Sequence, residues 1–199
     1  MSSDRIRMSV AEARDHAERA MRGIGYDAEE AYILADHAID AALCGYEYSG
    51  LAKLLNIPEH RRFKQPRWGM RVLRETEVSA LYDGGNNVGM VVLYRVARAA
   101  IAKAATRGFA VVGVTDSWMS GRSAYYVEMI AKPDLLAGLN GFKQQLSALI
   151  DRIKATPRQP GVSEIRMPGE RAFRSREKGL RDGIEIDRLV YEALARLHA

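Results

Sequence analysis

Apolar and polar positions along the chain follow two different periods, and each change of period marks an element. Ser9-Val10-Ala11-Glu12 has the spacing of a capping box, and a helical pattern follows it to Gly23. Asp27 to Glu30 repeats that spacing, and the helix it opens sets Ala31, Leu34, Ala35, Ala38, Ala41 and Ala42 on one side. Small residues along one face suit close helix packing. The pattern ends near Gly45, a short helix is predicted over Ser49 to Asn56, and Pro58 and Pro66 mark a loop. Val72 to Tyr82 alternates imperfectly and predicts a strand. Asp83-Gly84-Gly85-Asn86-Asn87 then reads as a tight turn of residues that tolerate positive φ. A long helix is predicted over Val88 to Arg107, stopped by Gly108. Phe109 to Val114 is a continuous apolar run, the pattern of a strand buried on both faces.

Lys132 to Gly141 carries no convincing pattern. After it, Phe142, Leu146, Leu149, Ile150 and Ile153 form an amphipathic stripe that stops before Pro157. Ser163 to Met167 predicts a short strand, and Asp187 caps a last helix bearing Leu189, Val190, Ala193, Leu194 and Leu197. Strand, long helix and buried strand in that order indicate an α/β layer. The expected architecture is an N-terminal helical lobe over 1–57, an α/β lobe over 58–131 and a C-terminal segment over 132–199. That segment is expected to pack back on the first two, because its stripe needs a partner surface. The sequence has no internal repeat and no low-complexity tract.

Composition narrows the class. A chain of 199 residues, 47% hydrophobic and 28% charged, can bury a core of its own and is not of the disordered or fibrous kind. The start is polar and no apolar run approaches the roughly 18 residues of a membrane span, so a cytoplasmic protein without a membrane partner is expected. Cys44 is the only cysteine, which excludes an intrachain disulfide and a thiolate cluster. His16, His37, His60 and His198 have no partner at metal-ligand spacing, so no metal is predicted; His16 and His37 read as surface or packing residues of helices. The net charge of +5 is uneven: nine basic residues face three acidic ones between Arg152 and Arg181. Such a block is either a solvated helix face or an attractor of phosphates, of a dinucleotide or of a nucleic acid. It lacks interleaved aromatic residues and matches no nucleic-acid module, so nucleic acid ranks last among the partners.

Two stretches could carry chemistry. Asp83 to Gly89 leads into a helix, where backbone N–H groups can cradle an anion; the alternative is a plain structural turn. It has neither the GxGxxG spacing nor the lysine of the established phosphate loops. Asp116-Ser117-Trp118-Met119-Ser120-Gly121-Arg122-Ser123 follows the apolar strand, at the end where α/β sheets place ligands. Arg122 could clamp a carboxylate there, or the serines could simply cap the next helix.

Gly45-Tyr46-Glu47-Tyr48-Ser49-Gly50-Leu51-Ala52-Lys53 resembles the G-x-x-S-H-G-x-x-R motif of the malate/L-lactate dehydrogenase family, the nicotinamide-dependent 2-hydroxyacid oxidoreductases that include ureidoglycolate dehydrogenase. The motif's Ser falls on Tyr48, its His on Ser49 and its Arg on Lys53. A second family histidine, in H-x-G, falls on Met119 of Met119-Ser120-Gly121. The family's Pro-Gly-Glu/Gln stretch matches Pro168-Gly169-Glu170-Arg171. The two matching stretches run from Leu43 to Tyr126 and from Phe142 to Ile186, and the family's long central segment would fall at a seam near Ile130-Ala131-Lys132-Pro133.

The resemblance implies a mixed α/β fold of the non-Rossmann malate/sulfolactate dehydrogenase type, shortened internally. It implies NAD or NADP as cofactor, a small 2-oxo or 2-hydroxy acid as substrate, and a homodimer. Ser49, Met119 and Tyr48 would occupy the catalytic positions, Lys53 and Arg122 would face the substrate, and Gly169, Glu170 and Arg171 would touch the cofactor. The other readings are a non-catalytic relic or interaction subunit of the same family and, behind it, an anion or nucleic-acid binder.

Overall fold

The computed structural model describes residues 4–131 and 139–198. In chain order these form β1 (Arg5–Met8), α1 (Val10–Gly23), α2 (Ala28–Leu43), α3 (Ala52–Glu59), β2 (Arg71–Glu75), β3 (Ser79–Val88) and α4 (Gly89–Arg107). Then follow β4 (Val111–Trp118), α5 (Ser123–Ala131), α6 (Leu139–Ala155), α7 (Glu170–Asp182), β5 (Ile184–Asp187) and α8 (Arg188–Arg196). Most of the patternless stretch Lys132 to Gly141, including the end of the seam, lies outside the described residues.

Both capping boxes close. The Ser9 hydroxyl accepts from the Glu12 N–H while Glu12 reaches back to the Ser9 N–H at 2.7 Å, and Asp27 and Glu30 do the same for α2. The alanine faces then meet: Ala13, Ala17 and Ala20 of α1 and Ala31, Ala35 and Ala38 of α2 are fully buried. Small side chains let the two helix backbones approach, and Met21, Ile33, Leu34 and Ile39 fill the space around the contact.

A three-stranded sheet in the order β2-β3-β4 forms the α/β layer, β2 antiparallel and β4 parallel to β3, with α4 as the crossover. The predicted single strand over Val72 to Tyr82 is therefore a hairpin. Thr76 makes it: its backbone N–H bonds the Ser79 carbonyl at 2.9 Å and its hydroxyl accepts from the Ser79 N–H. The predicted turn over Asp83 to Asn87 lies inside β3 as a bulge, with Gly85 and Asn86 at φ 64° and 55°. The apolar run at β4 is not buried on both faces, since Phe109 and Val111 are 62% and 56% exposed. β4 is an edge strand, and α4 covers one face of the sheet. The strand expected over Ser163 to Met167 is irregular chain.

The second sheet was not foreseen. β1 pairs antiparallel with β5, Ile6 opposite Ile186 and Met8 opposite Ile184. Four-residue strands are too short to declare themselves by periodicity. Ile184 and Ile186 are buried, and α8 lies against α1 and α3 with Leu194 fully buried. α7 packs on α2, where Gly179 sits so close to Leu43 that a Cβ would come within 2.8 Å of its Cδ2. Of the α6 stripe, Leu146 and Leu149 are exposed and Ile150 and Ile153 half-buried.

Candidate functional site

Lys53 lies in the first turn of α3, and the turn between α2 and α3 carries Tyr48 and Ser49. It is closed by short-range backbone bonds, Tyr46 N–H to the Ala41 carbonyl at 3.0 Å and Lys53 N–H to the Gly50 carbonyl at 2.9 Å. At Gly50 the packing is close, since an added Cβ would stand 3.1 Å from that of Ala42. Tyr48 is exposed, Ser49 half-buried, and the Lys53 ammonium lies 4.7 Å from the centre of the Tyr48 ring. These three residues thus share one surface.

Met119 and Arg122 sit on the loop after β4. Met119 has φ 57°, an uncommon value for a residue other than glycine, and its side chain packs against the core. Its thioether is neither a proton donor nor a useful base. Arg122 is turned inward. Its guanidinium pairs with Asp40 and, at 3.1 Å, with Glu128, and its side chain is 11% exposed. Arg176 of α7 pairs with the same two carboxylates, reaching Glu128 at 3.0 Å. Burial pushes the Glu128 carboxyl up, but hydrogen bonds and charge from Arg176 and Arg122 more than reverse this and hold it below the usual range. Two guanidiniums and two carboxylates here neutralise each other across α2, α5 and α7.

Sequence reasoning placed none of Asp40, Glu128 and Arg176 in this cluster, because the partners are up to 136 positions apart. His37, expected at the surface or in packing, is fully buried and structural: its Nε2 accepts the Arg122 N–H at 2.8 Å, between the Tyr125 and Tyr126 rings. Burial, helped by the Arg122 charge, pushes its imidazole down to about 4. Its place three residues after Leu34, on the apolar side of α2, was the available signal.

The bulge over Asp83 to Gly89 spends its polar groups internally. Asp83 accepts from the Gly85 N–H at 2.9 Å, and the Asn86 N–H donates to Asp116 at 3.1 Å. Asn87 donates to the carbonyls of Trp68 and Gly84 at 2.6 and 2.8 Å. Arg62 pairs with Asp116 and donates to Asn86 Oδ1 at 2.6 Å. The stretch is a structural joint.

Gly169, Glu170 and Arg171 open α7. Gly169 adopts φ 89°, and a Cβ there would stand 3.3 Å from the Phe173 ring. Glu170 pairs with Lys154 and accepts the Met167 N–H at 3.2 Å, and these bonds hold its carboxyl below the usual range. Gly169 and Arg171 are exposed, and the principal cavities are lined by other residues. These three residues lie on an open surface and do not enclose a dinucleotide.

Sequence comparison gives the family of this chain, and structure comparison its fold. The family profile of malate/L-lactate dehydrogenase matches residues 8–139 and 129–195, two stretches that meet at the seam. The chain belongs to the malate/L-lactate dehydrogenase family. It is 30% identical over 131 residues to the malate/(S)-sulfolactate dehydrogenase of Methanothermus fervidus, a match covering 65% of this chain and 39% of that protein. It is 28% identical over 119 residues to hydroxycarboxylate dehydrogenase B of Escherichia coli O157:H7, covering 57% and 32%. The chain therefore spans less than half the length of the curated relatives it matches. The fold is similar to that of malate dehydrogenase from Pyrococcus horikoshii, with a TM-score of 0.82 at 19% identity over 99% of this chain and 97% of that one. Sulfolactate dehydrogenase from Methanocaldococcus jannaschii gives 0.82 at 17% identity, covering 96% of each. Among the described residues no helix is long and apolar enough to cross a membrane, and no cluster of three or more potential ligands could hold a metal ion.

Proposed function

We propose that the chain carries the acid-binding part of an NAD(P)-dependent 2-hydroxyacid dehydrogenase and does not turn over by itself. The observation behind this is the make-up of the two family histidine positions. Hydride transfer to a 2-oxo acid needs a proton donor at the new alkoxide, usually an imidazole tuned near neutrality. Ser49 has no useful pKa and Met119 holds no proton; the Tyr48 hydroxyl and the Lys53 ammonium beside it are the groups here that carry an acidic hydrogen, and this reading gives the proton to Tyr48. Lys53, beside Tyr48, would hold the substrate carboxylate as a point charge. Arg122 would need to leave Asp40 and Glu128 to serve the same end, so Lys53 takes that role in this reading.

The cofactor, NAD or NADP, would supply the hydride, with Gly169, Glu170 and Arg171 along one edge of it. The reading includes a cytoplasmic homodimer. The test is NADH and NADPH binding by fluorescence, followed by reduction of a panel of 2-oxo acids by the folded protein. Weak or absent dinucleotide binding with no turnover is expected. Steady NADH oxidation with any 2-oxo acid would overturn the non-catalytic part of the reading.

A further inference from the structure

A cavity of about 190 Å³ lies where the β1–β5 sheet, α3 and α8 meet. Its walls are mostly apolar, Ala42, Leu51, Ala52, Ile186 and Val190, and Tyr48 also lines it. Arg5 is the one cation among its lining residues. The Arg5 guanidinium is fixed at the mouth by its Nη2, which donates to the Glu185 carbonyl at 2.9 Å.

Three carboxylates also line the cavity, and their commitments differ. Asp187 accepts the Leu189 N–H at 2.8 Å as the cap of α8. Glu185 is held by Arg7, whose Nε donates to it at 3.0 Å, and its carboxylate lies 3.9 Å from Arg5 Nε. Glu47 has only its ion pair with Arg5, and its side chain is 69% exposed. A pair so exposed contributes only about 0–1 kcal/mol, so another carboxylate can replace Glu47 on Arg5 at little cost.

We propose that this cavity binds a small apolar monocarboxylate, its hydrocarbon tail among Leu51, Ile186 and Val190 and its carboxylate on Arg5 in place of Glu47. The volume equals that of about six waters at the ~30 Å³ each occupies in the liquid, enough for a branched chain of five or six carbons. Apolar walls favour the tail over water, and the planar guanidinium suits a carboxylate held by two parallel hydrogen bonds. The cavity shares Tyr48 with the dehydrogenase reading, but binding here requires neither cofactor nor turnover, so titration without nucleotide fails or succeeds separately from a turnover assay.

Calorimetric titration with 4-methylpentanoate, in the absence of nucleotide, tests the proposal. Binding is expected for 4-methylpentanoate and not for acetate, which lacks the tail, nor for 4-methylpentylamine, which inverts the head-group charge. Arg5→Gln should weaken binding by about tenfold, the scale of one charge-assisted contact. Glu47→Gln should tighten it by about threefold, because the exposed competitor is gone. Ala52→Leu, which fills the cavity, should abolish it. Glu47 is exposed on a turn, so its variant decides the matter even if Arg5→Gln fails to fold. Equal or tighter binding of the amine, an unchanged affinity in Glu47→Gln, or binding that survives in Ala52→Leu would each overturn the site.

Discussion

At Gly121 one hydrogen atom is all that fits. The residue has φ 73°, and an added Cβ would lie 2.2 Å from His37 Nε2, the atom that accepts the Arg122 N–H. Gly121→Ala therefore meets both backbone strain and a clash that displaces a buried hydrogen bond. A loss of about 2–4 kcal/mol in urea unfolding is expected, well above the half-unit scale of surface changes. His37 itself gives the protein a pH dependence. Its folded value, about 4, lies below the ordinary 6.5, so the unfolded chain binds the proton more readily. This contribution is complete above pH 6.5 and is lost as pH falls toward 4, in total about 3 kcal/mol. His37→Leu should lower stability at pH 7 and flatten the slope between those values; an unaltered slope would show that other groups set it. At this scale the sequence was partly legible. Ser49, Lys53 and Met119 fall at family motif positions that neighbouring residues mark, whatever their role, whereas the pairing of Arg122 depends on Asp40, 82 positions away.

Among the elements, those with their own boundary signals were legible. The boxes Ser9–Glu12 and Asp27–Glu30 are complete within four residues, and α1 and α2 start where they predict. Ser9→Ala should cost about 1 kcal/mol, seen as a lower thermal midpoint with unchanged circular dichroism. β3 and β4 were less legible, because a bulge and an edge position come from pairing and not from composition. Asp83 to Asn87 has the residues of a turn, yet the parallel pairing with β4 resumes at Asn87 and Val88. The basic block from Arg152 to Arg181 also changes meaning once folded. Lys154, Arg166 and Arg174 pair with Glu170 and Glu164 of the same block, whereas Arg176 pairs with Asp40 and Glu128 outside it, so the excess meets carboxylates from elsewhere at Arg176. Arg176→Met leaves Asp40 and Glu128 with one guanidinium between them. With these side chains about a fifth to a quarter exposed, a loss of about 1–3 kcal/mol is expected. A double-mutant cycle with Asp40→Asn would report the coupling.

For the whole molecule, the two stretches on either side of the seam are joined far from it. β5 adds to β1, α8 lies on α1 and α3, and Arg176 of α7 enters the cluster around Asp40. Leu194 is fully buried at the α8 contact, so Leu194→Ala should cost about 2–5 kcal/mol. Because its partners belong to the first stretch, the loss should lower one common transition. A separate early melting of α8, followed by hydrogen exchange, would contradict that. What the sequence determined by itself was the starts of α1, α2 and α8, the small-residue face of α2 and the positions that match the family motifs, since each is written in residues a few places apart. The tertiary structure decided the rest. It buried His37, turned Arg122 inward, left one face of β4 open and paired β1 with β5. Each of these depends on which distant side chain or strand arrives within a few ångströms, and local periodicity holds no record of that.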